Sequence, residues 1–211
     1  MISRNTLVRI VDDDESVCGS LSFMLRIAGF DVTTYTSARD FLDKDDRERP
    51  GCVILDVRMS GMSGLEVHQE MIRRQSLLSV IFLTGHGEVQ MAVQALHDGA
   101  VDFLLKPAQP EKLLDAVRKA IEINERKLQR RMELEEVRRQ IGQLTRSELE
   151  VAQLISKGFT TQMISLALGI SEQTVKVYRS HIYKKWGIVN AVEISRVVDE
   201  YNRDIAPERH A

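Results

Sequence analysis

The sequence predicts two folds in tandem: an α/β domain on a doubly wound, five-stranded parallel sheet, then a smaller all-α domain of four helices with a helix-turn-helix. Three observations carry this. Short apolar runs alternate with helical patterns five times over residues 7–121, as parallel strands joined by crossover helices do. Polar residues suited to chemistry directly follow four of those runs. Beyond Thr145 strand signals cease, and helical patterns are punctuated by Gly158, Gly169 and Gly187.

The elements follow in order. The run LVRIV at 7–11 is the first strand and 16–28 the first helix, with Asp14 and Glu15 opening it and complementing its dipole. Strands are predicted at 32–35, 52–55, 80–83 and 101–105, with helices at 38–42, 65–74, 89–97 and from 111 onward. Residues 122–143 are rich in charge and lack Gly or Pro until Gly142. Polar Asn124, Arg131 and Glu135 interrupt their apolar seam, so this segment reads as a solvated helical linker rather than a coiled coil. Helices at 147–157, 161–168, 172–186 and 191–201 complete the chain. The expected domains are therefore 1–121, the linker 122–143, and 144–211.

Composition narrows the function classes. At 211 residues, 43% hydrophobic and 28% charged, the chain is globular rather than disordered. No apolar run approaches the roughly 20 residues of a membrane helix, and residues 1–11 lack a signal-peptide apolar region, so a cytoplasmic protein with no membrane partner is expected. Cys18 and Cys52 have no CxxC spacing and read as buried, inert thiols. The net charge of −2 divides unevenly: residues 1–121 carry 14 Lys/Arg against 18 Asp/Glu, and 144–211 carry 9 against 8. That balance alone does not imply nucleic-acid binding, so the placement of the basic residues decides.

Asp12 and Asp13 follow the first strand, Asp56 the third, Thr84 the fourth and Lys106 the fifth. A doubly wound sheet brings these strand ends to one crevice. Carboxylates crowded there repel one another unless a cation compensates, and an oxygen-only donor set favours Mg²⁺. One carboxylate as nucleophile, with an ammonium and a hydroxyl for the phosphoryl oxygens, fits aspartyl phosphorylation.

The segments VRIVDDDES, VILDVRMSGMSG, VIFLTGHGEVQMAV and DFLLKP resemble the receiver domain of two-component response regulators, a flavodoxin-like fold, over residues 6–121. The resemblance implies that Asp56 is the phosphoacceptor. It makes Asp13, Asp56 and the Arg58 backbone carbonyl the magnesium ligands, with Asp12 holding the metal through water. Thr84 and Lys106 would contact the phosphoryl group, Thr84 and Phe103 would form the switch pair, and Lys106-Pro107 would be cis. Two departures stand out: Ser60 replaces the usual proline after Met59, predicting a less rigid loop, and Ala108 stands where phenylalanine is common.

In the second domain, Ser171 caps a helix on which Val175, Tyr178, Ile182 and Trp186 share one face. Gln173, Lys176, Val177, Ser180 and Lys184 lie on another, and with Thr174 they form the candidate DNA-contacting set. Lys176 and Gln173 can donate to base edges or phosphates, and Val177 can pack on a thymine methyl. On these residues alone a solvated face of an interaction domain fits as well. The stretch from LTRSELEVAQLISKGF through LALGISEQTVKVYRSHIYKKWGI to NAVEI is similar to the LuxR-type DNA-binding domain, and the combination to FixJ-like transcriptional regulators. Departures are TTQMISLALG before the turn, Tyr178 for a common histidine and Trp186 for leucine or methionine.

The resemblance implies a phosphorylation-switched transcriptional regulator. Its expected partners are a cognate sensor histidine kinase, double-stranded promoter DNA, RNA polymerase and a second copy on phosphorylation, the dimer face being the helix at 89–97 and the strand at 101–105. Its own phosphoryl transfer and dephosphorylation would be its only catalysis. The alternatives are a regulator whose receiver is a phosphorylation-independent protein-binding module, an RNA-binding output, disfavoured by the lack of exposed aromatics for stacking, and an aspartate-nucleophile phosphohydrolase. The last usually needs an acid two residues after its nucleophile, where Arg58 stands.

Overall fold

The computed structural model describes residues 5–85 and 96–205. They divide into two compact units with the boundary between Leu128 and Gln129.

In the first unit, β1 (Leu7–Val11), β2 (Asp31–Tyr35), β3 (Gly51–Asp56), β4 (Ser79–Thr84) and β5 (Asp102–Leu105) form one parallel sheet in the order β2-β1-β3-β4-β5. Helices α1 (Glu15–Ile27), α2 (Ala38–Lys44), α3 (Gly64–Arg73) and α4 (Pro110–Gly142) accompany it. The strands alternate their side chains between two cores. Val8, Ile10, Cys52, Ile54, Ile81 and Leu83 pack with Leu25 of α1 and with Leu113, Val117 and Ile121 of α4. Val11, Val53, Leu55, Val80 and Phe82 pack with Phe41 of α2 and with Val67 and Met71 of α3. Burial on both faces explains why these strands read as continuous apolar runs. The helix expected at 89–97 lies, but for its last two residues, outside the described residues.

Order reverses between β1 and β3, so the crevice beyond their carboxyl ends is the sheet's switch point. Gly64 opens α3 directly beneath it. A Cβ there would lie 2.1 Å from the Asp56 carbonyl oxygen, so only glycine lets this helix approach the end of β3 so closely.

One residue breaks the apolar reading of β1. Arg9 is fully buried, and its guanidinium donates to Asp45 Oδ1 at 2.9 Å and to the carbonyls of Leu7, Asp46 and Arg49 at 3.0, 2.6 and 2.8 Å. The pair is compensated on every side, as a buried charge must be. Tyr35 Oη also donates to Asp45, at 2.9 Å.

The charged stretch 122–143 lies within α4 up to Gly142 and differs from a purely solvated spacer. Its surface charges pair along the helix, as in Arg126–Glu122 and Arg131–Glu135. Asn124, however, is buried: its Oδ1 accepts the Gly51 N–H at 2.7 Å and its Nδ2 donates to the Leu77 carbonyl at 2.7 Å. Val137 and Ile141 enter the core of the second unit. There they pack with α5 (Arg146–Ser156), α6 (Thr161–Leu168), α7 (Glu172–Trp186), α8 (Ala191–Glu200) and the π-helical turn Tyr201–Ile205. No described helix is long and apolar enough to cross a membrane.

Replacing Asp45 by alanine leaves a buried guanidinium without its counter-charge. Urea unfolding followed by far-UV circular dichroism should show a loss of about 3 to 5 kcal/mol; an unchanged midpoint would mean that the backbone carbonyls alone compensate the guanidinium and that Asp45 is not its needed counter-charge.

Candidate functional site

The carboxyl ends of the strands bring the acidic residues together. Asp12 leaves β1, Asp56 ends β3, Thr84 ends β4 and Lys106 follows β5, where its backbone N–H donates to the Thr84 carbonyl at 2.6 Å. Asp12, Asp56 and Thr84 are buried, whereas Asp13 and Arg58 are exposed at the rim. One carboxylate oxygen from each of Asp12, Asp13 and Asp56 lies within 4.8 Å of the others.

Two buried carboxylates side by side need a cation, and Lys106 supplies one. Its Nζ donates to Asp12 Oδ2 at 2.5 Å and stands 3.1 Å from Asp56 Oδ1. Burial pushes the Asp56 carboxyl above its ordinary range against the pull of this ammonium. Burial also opposes the charge on Lys106, but its bonds to Asp12 and Asp56 prevail and raise it. Asp12 Oδ1 accepts the Asp14 N–H at 3.0 Å, so both Asp12 oxygens already have donors. Asp14 itself caps α1, accepting from the Ser16 and Val17 amides.

The set fits a hard divalent cation. Its donors are all oxygens, one from each of Asp12, Asp13 and Asp56 lies close to the others, and Lys106 neutralises only part of the local charge. The thiols stand apart from this chemistry: burial pushes Cys18 up to about 11 and Cys52 up to about 12.

Two site residues escaped the sequence reading in their actual roles. Ser60 was expected only to loosen its loop, yet its N–H and Oγ donate to Asp13 Oδ2 at 2.8 and 2.7 Å. These bonds, the hydroxyl's foremost, hold the Asp13 carboxyl below its ordinary range. Gly64, the close-approach glycine, was not singled out. Phe103 is half-buried on β5 with its ring 6.2 Å from Phe82, which in turn meets His68 edge-on at 5.6 Å. The Lys106-Pro107 bond is cis.

In the second unit, α6 and α7 meet through Gly169, whose φ of 64° is the left-handed turn glycine favours. Ser171 caps α7 by accepting the Thr174 N–H at 3.0 Å. Val175, Ile182 and Trp186 are buried, and Tyr178 is half-buried. Gln173, Lys176, Val177, Ser180 and Lys184 are exposed, with Thr174 half-buried. The far end of α7 is fastened twice. Lys185 Nζ donates to Glu148 at 2.6 Å and to the Gln143 carbonyl at 3.1 Å, while Trp186 Nε1 donates to the Gln140 carbonyl at 2.7 Å. Glu148 is also the capping-box residue of α5, accepting from Thr145 N and Oγ1. Burial alone would raise its carboxyl, but the Lys185 and Thr145 donors outweigh this and hold it at about 2.

Comparison with known proteins agrees with both units. Residues 8–118 match the response regulator receiver domain, and residues 142–198 match the bacterial regulatory proteins of the luxR family. The response regulator protein TodT of Pseudomonas putida is 36% identical over 199 residues, covering 94% of this chain and 88% of TodT. The transcriptional regulatory protein FixJ of Azorhizobium caulinodans is 37% identical over 190 residues, 90% of each chain. Among solved structures, the response regulator StyR aligns with a TM-score of 0.86 at 36% identity, over 93% of this chain and all of that one. Full-length FixJ from B. japonicum gives 0.57 at 32% identity, over 93% and 97%.

Because the Glu148 carboxyl is depressed in the fold from an ordinary 4.5 to about 2, its stabilisation is complete above pH 4.5 and drains away as pH falls toward 2. Trp186 is the sole tryptophan and reports this unit. Its fluorescence-detected unfolding midpoint should fall across that window in the wild type. Glu148→Gln should be less stable at neutral pH and flatter below pH 4.5; parallel curves for the two proteins would contradict the assignment.

Proposed function

The chain belongs to the response regulators, the transcriptional regulators of two-component systems that join a receiver to a LuxR-type DNA-binding domain, and on that premise we propose that Asp56 is the phosphoacceptor controlling DNA binding. The observation that carries the reading is the Asp56 carboxylate at the end of β3, beside the Lys106 ammonium at 3.1 Å and the Asp12 and Asp13 oxygens.

A receiver implies a histidine kinase and a LuxR-type domain implies DNA. In the proposed transfer an Asp56 oxygen attacks the phosphorus of the kinase phosphohistidine; the new P–O bond forms as the P–N bond breaks, and the imidazole leaves. Lys106 then pairs with a phosphoryl oxygen, and Thr84 offers its hydroxyl to another. Asp13, Asp56 and the Arg58 carbonyl would hold Mg²⁺, with Asp12 acting through water, a role supported by the donors already on both its oxygens. Bound there, Mg²⁺ neutralises charge developing on the transferring group. Return to the resting state is hydrolysis of the acyl phosphate, in which water attacks the phosphorus, the P–O bond to Asp56 breaks, and inorganic phosphate leaves the restored carboxylate.

Phosphorylation would draw Thr84 toward the phosphoryl group and Phe103 inward. Residues 1–121 form the receiver in this reading, 122–143 the linker and 144–211 the DNA reader. Few cations serve that reader, and phosphate contacts supply much of the affinity for DNA. A second copy raises the effective concentration at adjacent half-sites, so dimerisation through β5 and the segment 89–97 is the proposed output. RNA polymerase is the further partner, and the cytoplasm the place of action. On α7, Gln173, Thr174, Lys176, Val177, Ser180 and Lys184 form the proposed contact face.

Intact mass after incubation with acetyl phosphate and Mg²⁺ tests the acceptor. The wild type should gain one phosphoryl group and Asp56→Asn none; equal gain in both would assign the chemistry elsewhere. For the reader, Lys176→Ala should weaken binding to a duplex selected from random sequence and lower the slope of log K against log salt by about one. An unchanged slope would remove Lys176 from the phosphate contacts.

A further inference from the structure

We propose that Ser60 is a positioning residue for the metal site, a latch that fixes the Asp13 carboxylate for cation binding. The inference rests on the reading of Asp13 as a magnesium ligand, and deepens it by naming what holds that ligand in place.

Asp13 is the exposed member of the acidic set. An exposed aspartate on a loop samples several rotamers, and a cation that binds it bears the cost of ordering it. Here one oxygen is already committed. Asp13 Oδ2 accepts both the Ser60 backbone N–H at 2.8 Å and the Ser60 Oγ hydroxyl at 2.7 Å. The two residues lie 47 apart in sequence, so the bonds tie the loop after β1 to the loop after β3 across the mouth of the crevice. With both Ser60 donors on Oδ2, the carboxylate is held in one orientation at the rim of the acidic set.

The chemistry of the substitution makes this specific. Proline, the residue the resemblance implies at this place, has neither an N–H nor a hydroxyl, so it could make neither bond. Serine supplies two donors from one residue. Ring rigidity of the loop is thereby exchanged for hydrogen bonds that act on the ligand itself, as partners behind a metal ligand do. Ser60 is itself exposed, so its replacement removes the latch without opening the core.

The test is Mg²⁺ titrated calorimetrically into the unphosphorylated full chain, with urea unfolding as a control on the fold. Ser60→Ala keeps the amide donor and should weaken Mg²⁺ binding about threefold, the worth of one net hydrogen bond; Ser60→Pro loses both donors and should weaken it about tenfold. Ser60→Thr keeps both and should remain within about twofold of wild type. Binding by the alanine and proline variants as tight as wild type, or tighter, overturns the inference alone. If the wild type binds no Mg²⁺ and Asp13→Asn is indistinguishable from it, the metal-site reading falls, and the latch with it.

Discussion

Matching the buried carboxyl groups of Asp12 and Asp56 with a cation is the constraint around which the first unit is organised. Two such carboxylates cannot share a crevice without a cation, and the chain's own is Lys106, delivered from the strand two places away from β3 in the sheet. That delivery depends on β4 and β5 being in register, fixed by the Thr84–Leu105 pairing and by the Lys106 amide on the Thr84 carbonyl. A slip of one residue would turn Lys106 to the opposite face of the sheet and leave the two aspartates unpaired. The packing of the apolar strands and the chemistry at their ends are thus one requirement.

The same economy appears at two other buried polar side chains of this unit, Arg9 and Asn124. Arg9 lies within a strand otherwise made of leucine, valine and isoleucine, and it is tolerated because Asp45 and three carbonyls meet it. It pins the chain between α2 and β3 to β1, so the two strands that flank the switch point begin from a common anchor. Asn124 ties α4 to the start of β3 and to the residue two before β4. The Asn124 contacts lie at the amino ends of the strands, away from the crevice at their carboxyl ends.

Sequence made the strand ends legible because burial on both faces writes itself as apolar runs, and whatever follows a run must lie in the crevice. Asp12, Asp56, Thr84 and Lys106 could be read on that ground alone. Asn124 could not: a polar residue breaking a helical seam looks the same whether it meets water or two backbone groups from distant loops. Ser60 was legible as a departure but not as a donor, since its partner lies 47 residues away and depends on how two loops close. Arg9 was absorbed into an apolar run because its neighbours outweighed it. What sequence hid, in each case, was a long-range polar pairing rather than a secondary-structure element.

In the reader, the contacts argue about where control can act. Ser171 and Gly169 fix the start of α7, while Glu148 and the Gln140 and Gln143 carbonyls fix its end through Lys185 and Trp186. Arg130 of α4 meets Glu200 and Asp204 at 2.5 and 2.7 Å, closing the same unit from its other side. A helix held at both ends presents Lys176 and its neighbours in one orientation. A phosphoryl signal on such a domain gains little by reshaping it. Under the proposed function, the effective variable is then how many readers meet the duplex together, and the charge at Asp56 is what sets that number.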